Sequence, residues 1–147
     1  SLIPRKYAPA IFVFKDDIWY KNNKLFMTET FGWNRDLGNC YHSYDGNPSR
    51  VEYHENGNRR LEEWYKFGSP HRDNDLPVAI EYYENGNKKE QMWWRNNKLY
   101  RDDDKPVIIQ YHENEIKKRE EWIVNDKERD IDNKRFVINY DENEQRI

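Results

Sequence analysis

Four histidines, one cysteine and three Asp-rich runs carry the side chains that catalysis and metal binding most often use. His54 and His112 occupy one position of a recurring register, where Tyr83 and Asp141 stand at the equivalent places. His42 and His71 occupy another, with Tyr100 and Arg129 as their counterparts. A general base needs a nucleophile or orienting carboxylate within reach, and no Ser, Cys or carboxylate stands at a recognised partner spacing. Histidines that recur in register point to structure, so no catalytic residue is assigned and no enzyme activity is expected. Neither position offers the close Cys or His pairs of a metal site, and neither a metal nor another cofactor is expected. The runs "RDNDL", "RDDDK" and "DIDNK" place Asp and Asn at alternate positions, as calcium loops do. They lack the closing Glu and glycine of such a loop, and turn chemistry accounts for them. Cys40 has no assignable base.

Binding chemistry has two candidates. Arg59, Lys88, Lys117 and Arg146 form a basic column, and Arg60, Lys89 and Lys118 a second beside it. Two strands separate successive units, so such charges would recur about every 10 Å. That ladder would suit phosphates or lipid headgroups, and a membrane surface is the alternative partner it suggests. Glu55, Glu84, Glu113 and Glu142 form an acidic column at the same turns, so a paired, solvated surface fits the pattern as well. The other candidate is the one non-repeating segment, "FMTETFGWNRDLGNCY" at 26–41. Phe31, Trp33, Arg35 and Tyr41 in it are the residues expected to meet a protein partner. The same segment would equally serve as a cap on the first hairpins.

These residues must be positioned by a repeat. Tyr53, Tyr82, Tyr111 and Tyr140 stand 29 residues apart, and Trp64, Trp93 and Trp122 keep the same step. Pro48, Pro77 and Pro106 do so too, with Arg135 replacing the fourth proline. Each unit predicts a first strand such as "PVAIEYY", rich in β-branched and aromatic residues, and a second running through "KKEQMWWR" or "KKREEWIV". Between them "ENGN" suggests a two-residue type I′ turn at Asn85-Gly86. Asn114-Glu115 and Asn143-Glu144 would then need another turn type. A polar loop, "NNKLYRDDDK" in one unit, leads to the next proline. In this register Tyr82 faces Lys89 and Val78 faces Trp93. The Tyr and Trp columns then share a face, with lysine stems over the rings. One hairpin cannot bury that face alone, whereas a row can. "WYKNNKL" at 19–25 matches "WWRNNKL" at 93–99, which makes residues 1–25 a degenerate first unit or cap. Residues 26–41 are then an insertion, and 42–147 regular repeats with an incomplete last one.

Composition agrees with a folded chain of one domain. Of 147 residues, 36% are charged and 35% hydrophobic, but aromatics reach 16%, which disordered chains lack. The net charge of −3 gives no global attraction to nucleic acid. One cysteine excludes an internal disulfide framework and suits a reducing compartment, so a cytoplasmic location is expected. No signal peptide and no membrane-spanning apolar stretch is evident.

The running pattern W-x-x-N-x-K-x-[HY]-R-x-D-x-x-P-x-x-I-x-Y-x-x-N-G resembles the MORN-like repeats of giant DNA viruses and the MORN-variant repeats of a bacterial antitoxin-like family. The resemblance covers roughly residues 42–147 and, more weakly, the first unit. The standard MORN unit is shorter and richer in glycine; here only Gly57 and Gly86 keep the turn glycine. The resemblance implies consecutive β-hairpins in one elongated antiparallel sheet. It also implies a scaffold or interaction role, in the host cytoplasm if the chain is viral. The expectation is therefore an all-β repeat protein that binds another protein without catalysis, its oligomeric state left open.

Overall fold

The computed structural model describes residues 11–102, 104–126 and 131–147. The opening of the expected first unit (1–10), Asp103, Asp130 and Arg129 lie outside them. The described residues form β-strands and no helix. The strands are β1 (Ile11–Lys21), β2 (Lys24–Asn34), β3 (Gly38–Tyr41), β4 (Arg50–Tyr53), β5 (Arg59–Glu63), β6 (Tyr65–Lys66) and β7 (Ser69–Pro70). There follow β8 (Ala79–Tyr82), β9 (Lys88–Met92), β10 (Trp94–Arg95), β11 (Lys98–Leu99), β12 (Ile108–Tyr111), β13 (Lys117–Asp126) and β14 (Ile131–Asn139). Ten of them make one antiparallel sheet in the order β1-β2-β4-β5-β8-β9-β12-β13-β14, with β3 also on β2. Its two edges do not meet, so the sheet is open rather than a barrel. The tandem hairpins expected from the strand alternation are present.

Three local expectations are corrected. The second strand runs through "KKREEWIV" in β13, as expected, but not through "KKEQMWWR": there it ends at Met92, and Trp94–Leu99 fold into a separate side hairpin, β10–β11. β6–β7 is its counterpart one unit earlier. Part of the expected polar loop is therefore strand. Nor is the segment 26–41 a loop. Most of it lies in β2 and β3, where Met27–Glu29 pair with β4 and Phe31–Asn34 with β3. Its alternating Thr and aromatic residues are a strand pattern that the missing repeat register concealed.

The third correction concerns the turns. True two-residue turns with both φ positive occur at Asn22-Asn23, Phe67-Gly68 and Asn96-Asn97. At "ENGN" only Gly86 has positive φ, at 91°, and its N–H bonds Tyr83 O while Tyr83 N–H bonds Asn87 O. This is a three-residue loop of type I followed by a bulge. Tyr82 pairs with Lys88, not Lys89, but the bulge restores the expected register from Glu81↔Glu90 onward. Glu115 and Glu144 adopt the same conformation, with φ of 67° and 60°. Those units use the same turn without its glycine.

One face carries the core. Cross-strand pairing aligns Val51, Glu62, Ile80, Gln91, Ile109 and Glu120 in a row, of which Gln91 alone is not buried. The Tyr column closes over the polar members. Tyr82 donates to Glu62 (2.5 Å), Tyr111 to Gln91 (2.7 Å) and Tyr140 to Glu120 (2.7 Å). Beyond this row, Trp64, Val78, Trp93 and Val107 are buried. Trp64, at 4% exposure, is slightly more enclosed than the central Trp93, at 6%, the reverse of what a central position suggests. Each indole N–H reaches back to the preceding loop: Trp64 to Gly46 O, Trp93 to Asp75 O and Trp122 to Asp104 O. Arginine, not lysine, lies over the rings. Arg72 stands 3.5 Å from the Trp64 ring and Arg101 3.8 Å from that of Trp93. Each also donates to the next proline carbonyl, Pro77 or Pro106. A planar guanidinium can stack and donate together, which an ammonium cannot.

Candidate binding surface

Two of the histidines are structural donors. His54 Nε2–H donates to Tyr82 O at 2.9 Å and His112 Nε2–H to Tyr140 O at 3.3 Å. Tyr83, at the same place in the unit between, donates its hydroxyl to Tyr111 O. A carbonyl only accepts, so each imidazole must present N–H there. This position joins each unit to the next. Asn58 and Asn87 reinforce the joint through Glu84 O and Glu113 O, both at 2.7 Å. His42 packs on Phe67 and takes its backbone N–H, and His71 meets Asp73 at 2.9 Å. Burial raises the Cys40 thiol above its ordinary value, which disfavours the thiolate. Among the described residues, no three of His, Cys, Asp and Glu converge as metal ligands would.

The basic column is largely committed to the core face. Arg59 pairs with buried Glu62, and Lys117 with buried Glu120 at 2.8 Å. The middle unit has the neutral Gln91 where the others have Glu, and there Lys88 is exposed with no ion pair among the described residues. Arg146 is exposed at the bridge to Tyr140. In the second column Lys89 meets Glu81 at 2.8 Å, and Arg60 pairs with Glu52. Of its four candidates, Arg59 and Lys117 are ion-paired, and among the described residues Lys88 and Arg146 are not.

The four protein-binding candidates do not form one site. Phe31 stacks on Tyr41, ring centroids 4.9 Å apart, and Tyr41 packs against Tyr65 at 5.2 Å. The Tyr41 hydroxyl donates to buried Glu29, which also receives the Trp19 indole at 2.9 Å. Burial, then the Glu29 carboxylate, push the Tyr41 phenol up to about 12. This pair is packing. Trp33 and Arg35 lie farther out toward the β2–β3 turn. Trp33 is 38% exposed, and Arg35 is in solvent with Asp36.

Sequence reasoning missed a larger exposed group. On the β1–β2 hairpin, Ile18, Trp19, Tyr20 and Phe26 are 56%, 50%, 68% and 40% exposed. Through Ile18↔Thr28 and Thr28↔Val51, Ile18 extends the buried row of the core face. The parity of Ile80 and Tyr82 in β8 is repeated by Ile18 and Tyr20 in β1. Over the later units an arginine-clamped loop covers this face; among the described residues no such loop covers β1. The match of "WYKNNKL" to "WWRNNKL" was the available signal, since its aromatics had no column of neighbours to pack on.

No family model, curated protein or solved structure matches the chain.

Proposed function

We propose that the chain is a non-catalytic interaction module, a MORN-like row of hairpins that presents its first hairpin to a protein partner. The exposure of Ile18, Tyr20 and Phe26 together, on the core-face side of the hairpin, carries this reading. Exposed apolar groups of this size on one element mark association sites, and Tyr and Trp are the residues that most often anchor them. His54, His112, Tyr82, Tyr83, Tyr111 and Tyr140 are engaged in bonds between and within units, which favours a scaffold role. The test is cross-linking and capture from the native source with the chain and its Tyr20→Ser/Phe26→Ser variant. A discrete partner captured by the first and lost by the second is the expected result. Equal capture by both would sink the assignment of the surface. Liposome sedimentation distinguishes the alternative of a membrane partner, which the pairing of Arg59 and Lys117 disfavours.

A further inference from the structure

A second surface, chemically unlike the first hairpin, lies at the other end of the sheet. Between the side hairpin β10–β11 and the strands β13 and β14 runs an open groove of about 690 Å³. Trp94, Leu99 and Ile123 supply its apolar surface, and Arg95, Lys98 and Arg135 its charge. Among the described residues three cations and no carboxylate line it, although the chain as a whole carries −3. Its members come from positions that vary along the repeat. Trp94 and Ile123 occupy the place of Tyr65, and Arg135 replaces the proline of the other three units. A proline there would leave this wall uncharged.

The cations differ in how they are held. Arg95 stacks over Tyr100 at 4.5 Å and meets Asp102 at 2.5 Å, both partners at the surface. Arg135 approaches buried Glu121 at 3.1 Å while its own side chain is 61% exposed. Lys98 makes no ion pair among the described residues. Arginines fixed by one carboxylate keep further N–H donors for a second, since each guanidinium carries five. Lys98 provides an unneutralised charge on the rim. A nucleic-acid strand would lack a continuous basic track here. A short apolar side chain flanked by carboxylates matches both floor and rim.

We infer that this groove binds an acidic peptide segment carrying a large apolar anchor, the anchor resting on Trp94, Leu99 and Ile123 and its flanking carboxylates on Lys98, Arg95 and Arg135. The site is independent of the first hairpin, and either can fail without the other. The probe is a fluorescein-labelled acetyl-Glu-Glu-Phe-Glu-Glu-Leu-Glu-Glu amide, titrated with the whole chain by anisotropy at low and at roughly physiological salt. Saturable binding is expected, weakened at least tenfold by Lys98→Glu/Arg135→Glu and by Trp94→Ala. It should be unchanged in Tyr20→Ser/Phe26→Ser. The probe with Lys for every Glu, and that with Ser for Phe and Leu, should each bind at least tenfold more weakly; neither comparison depends on a variant folding. Absence of saturable binding to the folded chain at low salt would overturn the proposal. So would equal binding of the Lys probe, or tighter binding of a single-stranded oligonucleotide.

Discussion

Glu62, Gln91 and Glu120 stand in one row, and the partner each takes follows its charge. The two acids have a cation three residues before them, Arg59 and Lys117, and the amide leaves Lys88 in solvent. A buried carboxylate stripped of its cation keeps only its tyrosine, so Lys117→Met should destabilise by about 1–2 kcal/mol, discounted for the exposure of the lysine itself. Lys88→Met should stay within about 0.5 kcal/mol, as surface substitutions do. Equal losses for the two in urea unfolding would contradict the pairing. Tyrosines bonded to buried acids also set an alkaline limit. Burial first, then the Glu29 or Glu62 carboxylate, raise Tyr41 to about 12 and Tyr82 further, from 10.0. A raised folded pKa keeps its stabilising contribution whole below the unfolded value and loses it as pH climbs through the folded one. Stability should therefore hold to about pH 10 and fall between 10 and 12. Tyr82→Phe should flatten that fall when unfolding midpoints are compared across the range.

At the scale of the element, the turns decide register. Gly86 fits its φ of 91° without strain, whereas Glu115 and Glu144 hold comparable conformations with a side chain. A left-handed residue costs roughly 1–2 kcal/mol unless it is glycine, and glycine loses part of that through its freer unfolded chain. Glu115→Gly should accordingly raise stability by about 0.5–1 kcal/mol, and Gly86→Val should lower it by more than that. Thermal melts of the two variants check both signs; a destabilised Glu115→Gly would show that the carboxylate has a role in the turn. Strand alternation and Asn-Gly pairs made the hairpins legible in the sequence. The turn type was not, because a two-residue turn and a three-residue turn with a bulge give the same register beyond Glu81. The side hairpins also escaped notice. Trp93 and Trp94 are adjacent in sequence, but Trp93 sits in the core while Trp94 starts a new hairpin, and no breaker residue marks the change.

Across the whole molecule, aromatic residues divide into two populations that composition alone cannot separate. The Tyr and Trp columns were legible as core because each has a copy 29 residues away to stack beside. Phe31, Trp33 and Tyr41 have none, and the structure splits them between packing and surface. Ile18, Tyr20 and Phe26 extend the core face beyond the last covering loop, and their exposure depends on what lies over β1, which residue type does not encode. The central claim is that these three side chains are surplus to the fold and available to a partner. Chemical denaturation of Ile18→Ser/Tyr20→Ser/Phe26→Ser beside Trp93→Ala tests it most directly. The account predicts that the triple variant stays within about 1 kcal/mol of the parent, while Trp93→Ala loses roughly 3–5 kcal/mol, as buried aromatics do. A triple variant that loses as much as Trp93→Ala would show that the first hairpin is core, and would contradict its role as the docking surface.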